Sequence, residues 1–91
     1  MQYSIEYTDQ AQRDLARLLR EDPKAFRKVE ALVHELAIHP MSGTGHPEPL
    51  KGDRSGQWSR RITKKHRLVY LVNDDVVTVL VLSSYGHYDD K

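Results

Sequence analysis

Residues 58–82 read WSRRITKKHRLVYLVNDDVVTVLVL, and this stretch decides the fold. Residues 58–63, 67–72 and 76–82 read as three strands, bounded by polar and turn-forming residues. Asn73-Asp74-Asp75 signals a tight turn between the last two. In the second run, alternation sends Leu68, Tyr70 and Val72 to one face and Arg67, Val69 and Leu71 to the other. With the first set against the core, Arg67 lies on the open face. The third run is apolar on both faces. One face belongs to the core, and the other calls for a cover, either a partner chain or the C-terminal tail.

Upstream, Gln2 to Tyr7 alternates with period two and reads as a half-buried strand. Thr8 or Asp9 can cap a helix whose apolar stripe is Ala11, Leu15, Leu18 and Leu19. Asp22 and Pro23 fit the N-cap and first helical residue of a second helix. Its stripe is Phe26, Val29, Leu32, Val33 and Leu36, and it stops near His39, because a residue before proline avoids the α region. Residues 41–49 are loop. The order β-α-α-β-β-β predicts an α+β domain over residues 1–91, a small antiparallel sheet of about four strands with a two-helix hairpin on one face.

The totals narrow the function. At 91 residues and 30% charged, the chain reads as one globular domain. It has no cysteine, which excludes a disulfide scaffold and thiolate metal sites and suits a reducing cytoplasm. No segment has the pattern of a signal peptide or the apolar length of a membrane span. The net charge is +1, but residues 48–67 hold seven Lys or Arg against two acids, a local +5 that leaves −4 for the rest. Such a concentration suits a polyanion. In HELAIH, His34 and His39 are five apart, which turns them about 140° from each other on a helix and argues against a metal pair. GTG has no strand before it and no helix after it, so it is not a dinucleotide loop. The RR and KK pairs, taken alone, are an ordinary solvated face.

Glu48 is less ordinary. In Pro47-Glu48-Pro49 the first proline is rigid and the second holds Glu48 extended. A carboxylate on a stiff segment loses little entropy in holding one position. With the basic strands and the terminal His87 and Tyr88, it makes a constellation suited to RNA cleavage by the RNA's own 2′-OH. Glu48 would be the base, the cations would hold the phosphorane's charge, and His87 would be the acid. Tyr88 could stack on an unpaired base. None of these steps requires a metal or cofactor.

GTGHPEPLKGDRSGQWSRRITKKHRLVYLV, with GHYDD near the end, closely resembles the YoeB/Txe branch of the RelE/ParE toxins from bacterial type II toxin–antitoxin pairs. The resemblance implies a ribosome-dependent, metal-independent mRNA endoribonuclease acting at the A site. It implies a YefM-like antitoxin whose disordered C-terminal segment folds over the toxin. On the matching positions, Glu48 is the general base, Arg67 the phosphate-stabilising arginine, His87 the general acid and Tyr88 the adjacent tyrosine. Lys51 and Arg61 are supporting cations, with Arg60 and Lys65 placed in the same RNA-binding set. Lys65 stands where some relatives carry an acid, and Gln57 replaces an aromatic before Trp58. Two other readings remain: a gyrase-inhibiting ParE-type toxin, and a non-catalytic RNA- or ribosome-binding module. The expected partners are the antitoxin, the ribosome with its mRNA, and a second copy of this chain.

Overall fold

The computed structural model describes residues 2–52 and 56–84. Strand β1 (Ser4–Tyr7) leads into helices α1 (Asp9–Glu21) and α2 (Pro23–Leu36). Strands β2 (Glu48–Pro49), β3 (Gln57–Arg61), β4 (His66–Asn73) and β5 (Val76–Ser84) follow. They form one sheet in the order β1-β5-β4-β3-β2. The α+β class and the helical hairpin agree with the sequence reading. The sheet differs in two respects. Among the described residues it has five strands, because Glu48–Pro49 pairs with Ser59 and Trp58. It is mixed, because β1 runs parallel to β5 while the other pairs are antiparallel.

Local chemistry fixes the helix ends. Thr8 Oγ1 accepts the Ala11 N–H at 3.0 Å, capping α1. Asp22 closes α1 through its own N–H to the Leu18 carbonyl at 2.7 Å. Its carboxylate then caps α2 by accepting the Ala25 N–H at 3.2 Å, with Pro23 as the first residue. Both helices pack on one face of the sheet. Ala11, Leu18, Val29, Leu32 and Leu36 meet Leu68, Tyr70, Val77, Val79 and Leu82 in a single buried cluster. Trp58 and Val72 pack against it half-buried.

Leu19 departs from the expected stripe and is 51% exposed. At about 100° per residue it stands roughly 100° around the helix from Leu18. Asp14 lies on the buried flank instead, 5% exposed, and its reason is in β5. Val69 pairs with Val81 and Tyr70 with Val79, so Leu80 is the extra residue of a bulge. The bulge lets Leu82 share the face of Val77, five residues earlier, which regular alternation would forbid. α1 satisfies its displaced backbone groups. Thr8 Oγ1 donates to the Leu80 carbonyl at 2.6 Å, and Asp14 Oδ2 accepts the Leu82 N–H at 3.0 Å. Gln10 donates to Asp14 at 2.8 Å, and Arg17 lies 3.5 Å away. Among the described residues, no helix is long and apolar enough to cross a membrane.

Candidate active site

The site is built on β2, β3 and β4, at the sheet edge far from β1. The segment carrying Glu48 is tied to β3 on both sides. The Gly45 carbonyl accepts the Arg61 N–H at 2.7 Å, and the Leu50 N–H donates to the Gln57 carbonyl at 2.9 Å. Glu48 therefore sits on a two-residue strand, not in a free loop. Gly45 makes this approach possible: it has φ +85°, and a Cβ there would meet the Arg61 carbonyl oxygen at 2.7 Å.

Strand register gathers the polar side chains. Glu48 is opposite Ser59, and Arg61 is opposite Arg67. All four lie on the face away from the helices, as the alternation predicted for Arg67. One Arg67 terminal nitrogen stands 3.7 Å from a Glu48 carboxylate oxygen and donates to Ser59 Oγ at 3.3 Å. The Arg67 side chain is only 18% exposed, while Glu48 is 64% exposed. The cation is thus embedded and the carboxylate is presented to solvent. Gly45, His46, Glu48, Arg61 and Arg67 line a cleft of about 280 Å³ here. A carboxylate and two guanidinium groups around one opening can take a proton and hold an anion in the same space.

Lys51 and Lys65 are exposed and lie outside the lining of this cleft, with Lys65 in the β3–β4 turn. His87 and Tyr88 fall outside the described residues. Among the described residues, no three His, Asp or Glu side chains come together as a metal site.

Arg60 is a correction. Its expected role was to bind RNA, but its side chain is fully buried on the helix side of the sheet. Its Nε donates to Tyr70 Oη at 3.2 Å. One terminal nitrogen donates to Glu35 and, at 3.1 Å, to the Thr44 carbonyl. The other donates to the carbonyls of His39 and, at 2.7 Å, Ser42. All five N–H donors of the guanidinium have acceptors, so none remains for a phosphate. Tyr70 in turn donates to the Pro40 carbonyl at 2.6 Å. Burial pushes the Tyr70 hydroxyl above its ordinary range, although the Arg60 charge pulls the other way. Burial alone would raise the Glu35 carboxyl. The Thr44 amide and hydroxyl and the Arg60 guanidinium outweigh that and hold it below its usual range. Arg60 thus ties down residues 39–44, which lead directly into Gly45 and Glu48.

Three contributors escape the sequence reading. His46 lines the cleft with φ +50°; an imidazole two residues from Glu48 is the available signal. Ser59 holds Arg67, and only strand pairing reveals it. Glu35 holds Arg60, and nothing local in the helix announces that.

Comparison with known proteins identifies the family of this fold. The family profile described as YoeB-like toxin of bacterial type II toxin–antitoxin system matches residues 7–88. Toxin YoeB of Mycobacterium bovis is 46% identical over 77 residues, covering 85% of this chain and 91% of that protein. The YoeB/ParE toxin structure from Agrobacterium tumefaciens superposes with TM-score 0.83 at 33% identity, covering 90% of this chain and 98% of that one. A YoeB dimer from Staphylococcus aureus gives TM-score 0.80 at 31% identity, over 91% of this chain and 97% of that one. The heterotetrameric YoeB–YefM complex from the same organism gives 0.79 at 31%, with the same coverage. The chain belongs to the YoeB-like toxins of bacterial type II toxin–antitoxin systems.

Proposed function

We propose that this toxin is a ribosome-dependent mRNA endoribonuclease that cleaves by attack of the substrate's own 2′-OH. The observation that carries the reading is the exposed Glu48 carboxylate 3.7 Å from the embedded Arg67 guanidinium, in a cleft also lined by Arg61. Glu48 takes the 2′-OH proton. The 2′ oxygen bonds to phosphorus, and Arg67 and Arg61 hold the charge that develops on the non-bridging oxygens. The bond from phosphorus to the 5′ oxygen breaks, and His87 protonates that oxygen as it leaves. The products are a 2′,3′-cyclic phosphate, hydrolysable to a 3′-phosphate, and a 5′-OH. Tyr88 stacks on a base beside the break, and Lys51 and Lys65 add attraction along the strand. Every step is assigned to a side chain, and no cofactor enters.

The partners follow from the same reading. The mRNA reaches the cleft on the ribosome, in the cytoplasm. A YefM-like antitoxin neutralises the toxin by laying its C-terminal segment over it, and a second copy of this chain is a further partner. The complexes and dimer of the S. aureus relative support both.

The test is cleavage of ribosome-bound mRNA by purified Glu48→Gln, Arg67→Ala and His87→Gln. Each acid–base loss should cost about 10²–10⁴ in rate. Full activity in all three would end the reading. Inhibition of gyrase supercoiling without mRNA cleavage would favour the ParE-type alternative. Ribosome binding that ignores His87 and never cleaves would favour a non-catalytic module.

A further inference from the structure

A second concavity, of about 290 Å³, adjoins the Glu48–Arg67 cleft. The two share Gly45, His46 and Arg61, so they meet across one ridge. Their charge differs. The first cleft holds one carboxylate among its cations. The second adds Lys28 from α2 and Lys64 from the β3–β4 turn, and none of its described lining residues is acidic. Lys28, Lys64 and Arg61 are all exposed. Three cations without a carboxylate beside them can hold an anion.

The ridge is fixed. Gly45 is bound through its carbonyl to the Arg61 N–H at 2.7 Å. His46 follows with φ +50°, a conformation uncommon for a residue other than glycine. The backbone between the two hollows is therefore held on β3, and their spacing is set by the fold.

We propose that this second hollow is a phosphate subsite, in which Lys28, Lys64 and Arg61 seat the phosphodiester adjacent to the scissile one on the same RNA strand. The assignment rests on the RNA-cleavage reading of the first cleft. Lys28 and Lys64 take no part in the chemistry. They set how the strand continues past it, and α2 becomes part of the substrate surface.

The experiment compares the wild-type toxin with a Lys28→Ala/Lys64→Ala double variant. The probes are non-cleavable 2′-O-methyl RNAs: a dinucleotide with one phosphodiester, and a hexanucleotide. For the hexanucleotide, the double variant should bind more weakly. The slope of log K against log salt should become shallower by about 0.7 for each phosphate that the protein no longer neutralises. Dinucleotide binding should not change, and a Lys28→Arg/Lys64→Arg variant should restore the hexanucleotide slope. An unchanged slope overturns the subsite. An equal weakening on the dinucleotide also overturns it, as a general field effect. Weakening seen with ribosomes but not with free RNA assigns these lysines to ribosomal RNA and overturns it too. The cleavage reading is judged separately, by whether wild type cuts ribosome-bound mRNA and Glu48→Gln does not.

Discussion

Arg60 shows how one side chain can organise a site it does not enter. It is buried, and its charge is matched by Glu35 and by three loop carbonyls. Removing one member of such a pair strands the other. Arg60→Ala should therefore cost about 3 kcal/mol, the low end for a buried pair because Glu35 is partly exposed. For a domain of this size that is a fall of about 15 °C in melting temperature, readable by circular dichroism. Arg60→Lys should recover only part of it, since an ammonium cannot reproduce the five-donor fork. Glu35 supplies a pH test. Its folded carboxyl titrates below its ordinary value. Its stabilising contribution is therefore complete above the unfolded value, about 4.5, and is lost as pH falls through the lower folded value. Wild type should melt above Glu35→Gln at pH 7, and the gap should close on acidification below about pH 4.5. A gap that widened in acid would contradict this. Glu48 is legible in the sequence, because two prolines act on their immediate neighbour. Arg60 is not legible from its residue type, which points to solvent. The alternation Trp58, Arg60, Ile62 is the better guide, since it places Arg60 on the core face, opposite Leu68.

The strands reveal their alternation to sequence reading but not all of their number or irregularity. β2 reads as loop because two of the three residues of Pro-Glu-Pro lack a ladder donor; its pairing is supplied by β3 and anchored at Gly45 and Leu50. Gly45→Ala should test that anchor. It combines positive φ with a backbone contact at 2.7 Å, so the loop must move away from β3. A displacement of about 1 Å in a reacting group can cost about 10²-fold in rate. Cleavage should therefore fall by at least about tenfold while the protein remains folded. The bulge at Leu80 is likewise hidden, because its partners, Thr8 and Asp14, lie at and within α1, far away in sequence. Asp14→Leu should leave the Leu82 N–H unsatisfied, at a cost of about 1–3 kcal/mol. Amide hydrogen exchange would show it as faster exchange at Leu82 than in wild type. Unchanged protection there would mean that Asp14 does not hold the bulge.

Across the molecule, β1 lies at one edge of the sheet and the Glu48 strand at the other. β1 runs parallel to β5. β1 pairs with a strand that two helices and three strands separate from it in the chain, which is why the sequence shows the strand but not its partner or orientation. The layering is more visible: amphipathic helices and alternating strands leave one sheet face for the core and one for Arg67. On that open face, Ser59 and Arg67 come together from adjacent strands with Glu48 beyond them. The exposed carboxylate and embedded cation support cleavage by an internal 2′-OH more directly than binding alone. The most direct measurement replaces a single ribonucleotide by its 2′-deoxy form immediately 5′ of the scissile phosphate in ribosome-bound mRNA, and maps cleavage and product ends. Wild-type toxin should leave a 2′,3′-cyclic phosphate or 3′-phosphate on the all-ribose message and make no cut at the deoxy position; cleavage of the deoxy message at that bond would contradict the account.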